Sequence, residues 1–341
     1  MLLVIFGAGA TYDSAPSIPL HHEHRPPLAD ELFSDRPRFR KASQLFPECQ
    51  SILPFLETRP PGQSVEDVLA RLQEENIERR PRHMLAVKHY IRQVVYDSER
   101  LWLTAAYGIT THRAVFDRIA HHRKQYKGVS LVTFNYDTLI ERAMADDLGI
   151  HLENLSDYIA DPFYHFVKLH GSIAWAHEVT AGAADLVALP WLVAAREVIA
   201  RAGNIEVSGA YRMGPALEGE ELRAGTFGAN GPVFVPAIAI PVKDKKFECP
   251  DEHVAALYQR MPQVSRLLII GWRGMEQHFL AEMKARMRYR VAGLIVGANL
   301  EDAQRTRVTL REAGVGGELK ASESQGFRDF LLSGEVDRFL A

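Results

Sequence analysis

The sequence is poor in cysteine: only two of its 341 residues, Cys49 and Cys249, are cysteines. A structural zinc module usually needs four ligands, commonly supplied by paired C-x-x-C motifs. No such pair is present, which excludes a zinc module built on thiolates, and two distant thiols make no disulfide framework. This sparse usage is typical of a reducing compartment, so we expect a cytoplasmic protein.

Long apolar runs and an excess of basic charge are also missing. No stretch approaches the roughly 18–20 apolar residues that a membrane-spanning helix needs. The apolar start, MLLVIFGAGA, lacks a basic segment and is typical of a buried strand rather than of a signal peptide. The formal net charge is -3, whereas proteins that wrap nucleic acid usually carry a basic surface. We expect neither membrane insertion nor direct nucleic-acid binding.

Three common catalytic signatures are absent. The sequence has no HExxH, no GxxxxGK[ST] and no GxSxG, so zincin, P-loop and serine-hydrolase functions lack their characteristic residues. The histidine-rich stretch HHEH at 21–24 is predicted to lie in a loop and has no partner at ligand spacing. We therefore expect no metal site.

The sequence does contain apolar runs of strand length that alternate with helical patterns. Continuous apolar strands separated by helices predict a parallel sheet covered on both faces, a doubly wound, Rossmann-like α/β fold. We expect one domain over 1–341, with a helical insertion at about 51–125 and an Ala/Gly-rich insertion at about 176–231. The predicted strands are 2–6, 129–134, 164–170, 266–272 and 291–299, and a proline-containing run at 232–241 is expected at a strand end or edge.

Glycine and polar residues follow each predicted strand. Because the carboxyl ends of parallel strands share one edge, where such folds bind ligands, we expect these residues to converge. The five strand ends are Gly7-Ala8-Gly9-Ala10, Asn135-Tyr136-Asp137, His170-Gly171-Ser172, Gly271-Trp272 and Gly297-Ala298-Asn299.

Each of these strand ends also has a purely structural interpretation. The glycines at 7 and 9 bring backbone amides close to a phosphate or merely form a tight turn, and Tyr12 breaks the full dinucleotide fingerprint. Asn135 and Asp137 are common helix caps, although a capping box from Thr138 to residue 141 would leave Asp137 available for chemistry. An isolated histidine is most often a core residue, but the position of His170 on the ligand edge favours a functional role.

Three motifs in this order resemble the sirtuin-like domain family. They are GAGAT at 7–11, TFNYD at 133–137 and KLHGSIAW at 168–175, and PAIAIPVKDK and IIGWRGMEQHFL resemble later segments. The match is closest to a bacterial branch without the zinc module. The chain departs from the zinc-containing members at Phe134, where they have Gln, and at Trp272, where the family has Tyr. The acid usual in the latter segment would be Glu276. These departures and the missing zinc module argue against peptide deacetylation.

The resemblance implies an NAD hydrolase that acts in bacterial anti-phage defence. We expect His170 to be the base, Asn135 to orient ribose or water, and Asp137 to hold the nicotinamide amide or stabilise positive charge. The predicted nucleotide-binding residues are Gly7, Ala8, Gly9, Ala10, Thr11, Tyr136, Gly271, Trp272 and Asn299.

Other functions of the same site stay open at this point. One alternative is an ADP-ribosyltransferase or a zinc-less deacylase, and another is a non-enzymatic nucleotide-sensing subunit. We expect a homo-oligomer whose interface lies in the 51–125 insertion. By resemblance, we also expect activation by a partner or signal, such as a neighbouring ATPase or Argonaute-type protein.

Overall fold

The computed structural model describes residues 1–14, 25–60, 62–74, 80–187, 189–214, 232–241, 247–287 and 290–341. Its strands are β1 Leu2–Phe6, β2 Val129–Thr133, β3 Tyr164–Lys168, β4 Gly171–Ala181, β5 Glu206–Met213, β6 Phe234–Ile238, β7 Arg266–Ile270, β8 Ala292–Val296 and β9 Glu318–Ala321. Short 3-10 helices span Ala29–Glu31, Arg123–Gln125, Ala184–Leu186 and Met261–Gln263.

The α-helices of the described ranges, numbered in chain order, alternate with these strands. They are α1 Ala8–Tyr12, α2 Pro37–Leu45, α3 Pro47–Gln50, α4 Leu53–Glu57, α5 Val65–Glu74, α6 Arg80–Ala105, α7 Thr111–His121, α8 Leu139–Leu148, α9 Asp157–Ala160, α10 Trp191–Ala200, α11 Asp251–Arg260, α12 Gln277–Arg286, α13 Leu300–Glu312, α14 Phe327–Leu332 and α15 Glu335–Leu340. None of them combines the length and the apolar character needed to span a bilayer.

The chain divides into two compact units. The first unit comprises Met1–Pro26, Glu99–His170 and Cys249–Ala341, and the second comprises Pro27–Ser98 and Gly171–Glu248. Helices α4 to α7 occupy most of the 51–125 segment, in agreement with its helical periodicity. The assignment of the whole chain to one sirtuin-like domain stays a prediction.

The first unit is built on a six-stranded sheet in the order β3-β2-β1-β7-β8-β9. Every neighbouring pair is parallel, and β1 lies between β2 and β7 with Leu2 opposite both Val129 and Arg266. The strand order reverses between β1 and β7, so the carboxyl ends of these two strands border the topological switch point. The predicted doubly wound, Rossmann-like fold is thereby confirmed.

The central strands are buried because helices cover both faces of the sheet. Every residue of β1 and β2 is buried, as the apolar sequence of β1 and the largely apolar sequence of β2 predict. Strand β9 was not predicted, because its four residues alternate between buried and exposed positions and form no apolar run.

The predicted strand that reaches His170 is wrong in its boundary. Strand β3 ends at Lys168, and β4 begins at Gly171 in a different sheet. Gly171 has φ +81°, and a Cβ there would collide with the carbonyl group of Ala237. Only glycine fits this turn, and the unbroken alternation of 164–175 conceals it in the sequence.

The second unit contains a three-stranded antiparallel sheet in the order β5-β4-β6. The apolar run 232–241 supplies β6, which is an edge strand of this sheet, as its prolines predict. Buried aliphatic residues of β4, β6 and α10 form its core, among them Val179, Val235, Ala194 and Val198. The Ala/Gly-rich segment 176–231 contributes α10 and β5, and its residues 215–231 lie outside the described ranges.

Candidate active site

The turns after β1 and β7 pack backbone against backbone at the switch point. A Cβ on Gly7 would collide with the carbonyl oxygen of Gly271, and a Cβ on Gly271, whose φ is +64°, would collide with the amide of Ala10. The amide of Gly7 donates to Ile270 O at 2.9 Å, and that of Gly9 donates to Gly271 O at 3.1 Å. The glycines are therefore required by the contact between the two turns, and the predicted close approach of this backbone to a phosphate stays a prediction.

The Asn135 side chain is held against the turn that follows β1. Its Nδ2 donates to Gly7 O at 2.9 Å and to Thr11 Oγ1 at 2.8 Å, while its backbone amide donates to Thr133 Oγ1 at 3.1 Å. Both amide hydrogens are thus used inside the protein. The Oδ1 atom is the part of this amide that these bonds do not use.

Asp137 bonds to the same turn and to helix α8. Its Oδ2 accepts from Thr11 Oγ1 at 2.8 Å, and its Oδ1 accepts from the amide of Leu139 at 3.2 Å. The predicted capping box at Thr138 is wrong, because that side chain accepts no capping hydrogen bond and its hydroxyl donates to Glu99 Oε1 at 2.6 Å. Asp137 is therefore engaged at the helix start instead of being available for chemistry alone.

A group of buried charges lies directly beside Asp137. Lys168 is fully buried, forms an ion pair with Glu141 at 2.9 Å and donates to the carbonyl oxygen of Asp137. Burial raises the pKa of the Glu141 carboxyl, and the charge of Lys168 opposes this effect. Lys168 was not predicted as a site residue, although a lysine at the end of an otherwise apolar strand is a usable signal.

A second buried carboxylate, that of Glu99, holds the start of α8. Besides the Thr138 hydroxyl, it accepts from the Thr138 amide at 2.6 Å and from Arg142 Nε at 3.1 Å. Burial raises the pKa of Glu99, the negative charge of Asp137 raises it further, and the hydrogen bonds from Thr138 act in the opposite direction. The β2–α8 junction is therefore fixed by charged groups from three separate segments.

His170 lies among aromatic rings at the end of β3. Its ring centroid is 5.0 Å from that of Phe134 in an edge-on arrangement, and Phe134 stacks on Trp272 at 5.2 Å. The indole nitrogen of Trp272 donates to Glu276 Oε2 at 2.6 Å, and His170 Nε2 is 3.8 Å from Glu276 Oε1. From the sequence, Glu276 was matched only to an acid of the sirtuin-like family. Its proximity to His170 was not predicted.

All three proposed catalytic side chains are buried at the carboxyl edge of the sheet. His170 is 4% exposed, Asn135 7% and Asp137 6%. The half-buried ring of Tyr136 lies 6.4 Å from that of His170. Asn299 ends the turn after β8, where its side chain caps α13 by accepting from the Asp302 amide at 3.0 Å.

The five predicted strand ends thus share one edge of the sheet, as the parallel pairing requires. Hydrogen bonds join the residues after β1 to those after β2, and ring contacts join those after β2, β3 and β7. Within the described ranges, no group of three or more His, Cys, Asp or Glu is arranged to hold a metal ion. The HHEH stretch at 21–24 lies outside those ranges.

Comparison with known proteins gives structural neighbours only. No protein-family model matches the sequence, and no curated protein matches it significantly. Among solved structures, the chain is similar to a Sir2 homologue in complex with NAD, with TM-score 0.38, 12% identity, and coverage of 100% of this chain and 90% of that one. It is also similar to Sir2Tm bound to a propionylated peptide, with TM-score 0.36, 10% identity, and coverage of 93% and 94%. The functional assignment therefore rests on the residues at the carboxyl edge of the sheet.

Proposed function

We propose that the protein is an NAD⁺ hydrolase that cleaves the nicotinamide–ribose bond and releases nicotinamide and ADP-ribose. The main supporting observation is that buried Asn135 and His170 follow adjacent parallel strands beside the switch point of a doubly wound sheet. Folds of this type bind their ligands in that position. A histidine is suited to proton transfer there because it is useful in both protonation states near neutral pH.

The proposed chemistry proceeds through an oxocarbenium-like transition state. His170 accepts a proton from the attacking water, and the electron pair of the breaking bond leaves with nicotinamide. The Asn135 amide is oriented in advance, because Gly7 O and Thr11 Oγ1 bind both its hydrogens and direct Oδ1 to a ribose hydroxyl or the water.

Asp137 contributes mainly through its negative charge in this proposal. Its two oxygens already accept from Thr11 and Leu139, so it is held rigidly and need not bind the substrate to act. A fixed carboxylate in a water-poor site stabilises positive charge that develops on the ribose. The Thr11 hydroxyl, which donates to Asp137 and accepts from Asn135, keeps Asp137 at a fixed distance from the ribose.

The nucleotide is expected to lie along the ends of the strands. Because the amides of Gly7, Gly9 and Ala10 donate to carbonyl oxygens of the protein, we assign the pyrophosphate contact in this turn to the amide of Ala8. Tyr136 and Trp272 line the nicotinamide end in this proposal. Thr11 orients Asn135, while Gly271 and Asn299 border the adenosine end.

The proposed biological role is NAD depletion in anti-phage defence. An enzyme that destroys a central cofactor must be held inactive, so we expect activation by a partner or an infection signal. We also propose a homo-oligomer, with the helices of the 51–125 segment at its interface.

The decisive experiment measures nicotinamide release from NAD by the wild-type protein, Asn135→Ala and His170→Ala. Each reaction is run with and without the product of the neighbouring gene, and thermal unfolding shows whether each variant is folded. Loss of the base should lower the rate about 10²- to 10⁴-fold. Asn204→Ala and His151→Ala, both at exposed positions, serve as controls and should retain the wild-type rate.

The products of the same reactions decide between functions. Free ADP-ribose supports hydrolysis, whereas a modified protein or an O-acyl product indicates transfer to another acceptor. NAD binding without nicotinamide release under any condition would indicate a nucleotide-sensing subunit. Full activity in both variants would refute the assignment of Asn135 and His170.

A further inference from the structure

Four side chains at the end of the sheet form a closed ring of contacts. Phe134 stacks on Trp272 at 5.2 Å and an interplanar angle of 8°, and meets the edge of His170 at 5.0 Å. The indole of Trp272 donates to Glu276 at 2.6 Å, and the other oxygen of that carboxylate lies 3.8 Å from His170 Nε2. The orientation of each member is thus restrained by two others.

The surroundings of this ring hold the carboxylate in place. Phe279 packs edge-on against both Phe134 and Trp272, at 5.5 and 5.8 Å. Glu276 immediately precedes α12, and its side chain is 18% exposed. A carboxylate that is mostly withdrawn from water and fixed by an indole donor acts on its neighbours with little screening.

We propose that Glu276 is a positioning residue for His170, one that keeps a proton on Nε2 and leaves Nδ1 to accept the proton in catalysis. The role in catalysis rests on the proposed NAD hydrolysis. In the reaction, water transfers a proton to Nδ1, its oxygen bonds to the ribose carbon, and the ribose–nicotinamide bond breaks with its electron pair passing to nicotinamide. The Glu276 charge stabilises the resulting imidazolium. The 3.8 Å separation is an ion-pair distance, and it needs to shorten by about 1 Å to form a hydrogen bond.

Within the described ranges, other charged groups on the elements around His170 contact different partners or solvent. On β3, Lys168 forms an ion pair with Glu141. In the β2–α8 junction, Asp137 accepts from Thr11 and Leu139, and the Tyr136 ring lies 6.4 Å from His170. In the turn after β7, Arg273 is exposed to solvent. Among the described residues, Glu276 is the carboxylate at ion-pair distance from His170, so we expect its charge to act on the imidazole.

The first test follows the protonation of the His170 ring in the ligand-free, full-length protein, by nitrogen and carbon NMR of labelled histidine. The His170 signal is assigned by its loss in His170→Gln. We expect the wild-type neutral ring to carry its proton on Nε2, and Glu276→Gln to move the titration midpoint of His170 to lower pH. Glu276→Asp should give a titration midpoint of His170 between those of Glu276→Gln and the wild type. Trp272→Phe removes the indole donor but keeps the stacking, and it should also move this midpoint to lower pH.

The matched control is Glu282→Gln on α12, which removes a carboxylate that pairs with Arg286. It should leave the His170 titration unchanged. An unchanged midpoint in Glu276→Gln, or a wild-type neutral ring protonated on Nδ1, would overturn the proposal. This measurement needs no NAD cleavage, so it decides the role of Glu276 even when the proposed function fails.

The second test measures the pH profile of nicotinamide release. Glu276→Gln should lower kcat about tenfold or more with little change in KM, and should shift the ascending limb of the profile to lower pH. A lower rate with the wild-type profile would indicate a structural effect and would contradict the proposal.

Discussion

The buried ion pair between Lys168 and Glu141 gives the sharpest stability prediction. The two groups are 2.9 Å apart, and their side chains are 1% and 11% exposed. Lys168→Met keeps most of the volume but leaves Glu141 as an unpaired buried charge. Breaking such a pair from one side costs about 3–5 kcal/mol of unfolding free energy. Asp137 also loses the donor to its carbonyl oxygen.

The pH dependence of this loss identifies its electrostatic origin. Burial already raises the pKa of Glu141, and removing the lysine raises it further because Lys168 lowers it in the wild type. Between the unfolded and folded pKa values, the folded variant binds one proton more than the unfolded chain. Its stability therefore falls by about 1.4 kcal/mol per pH unit as the pH rises, and is recovered as the pH falls.

The measurement is urea unfolding followed by circular dichroism at several pH values between 5 and 8. The control is Lys320→Met, which removes an exposed ion pair with Glu318 and should cost less than about 1 kcal/mol. The double variant Lys168→Met/Glu141→Leu should be more stable than Lys168→Met alone, because it leaves no uncompensated charge. A loss in Lys168→Met below about 1 kcal/mol, or one independent of pH, would refute the reasoning.

Three further predictions concern the turns and a buried thiol. Gly271→Ala should destabilise the protein by several kcal/mol in urea unfolding, because the φ of +64° at Gly271 and its contact with Ala10 exclude a Cβ. A variant as stable as the wild type would show that the two turns separate easily. Thr11→Val should abolish nicotinamide release and Thr11→Ser should retain it, since the hydroxyl joins Asn135 to Asp137; equal rates in both variants would contradict this role. Burial raises the pKa of the Cys49 thiol, so it should react with a thiol reagent only upon unfolding, and rapid labelling of native Cys249→Ser would disprove its burial.

The sheet and the candidate site at its carboxyl edge were predictable because their signals are local. Largely apolar runs of strand length identify β1 and β2, and the residues that follow each run are adjacent in sequence to the strand they end. Parallel pairing then places Asn135 and His170 on the same edge without knowledge of side-chain contacts. The strand boundary before Gly171 was missed because a turn with positive φ interrupts an otherwise continuous alternating pattern.

The interactions that orient the site were not predictable in the same way. The partner of Lys168 is on α8, and the carboxylate nearest His170 is Glu276, which precedes α12. No pattern in the intervening sequence encodes these distances, because they follow from strand register and helix packing. The prediction of a capping box at Thr138 failed for the same reason: the Thr138 hydroxyl donates to Glu99, which lies on α6, instead of capping α8.

The glycine contact at the switch point joins the turns after β1 and β7, so we expect the two turns to move together. Gly9 donates to Gly271, and a Cβ on Gly7 or Gly271 would collide with backbone atoms of the other turn, so the two backbones are in direct contact. On the proposed function, a ligand that moves the first turn toward its phosphates should displace the second turn as well. Because Trp272 and Glu276 follow that second turn, we expect NAD binding to change the distance between Glu276 and His170.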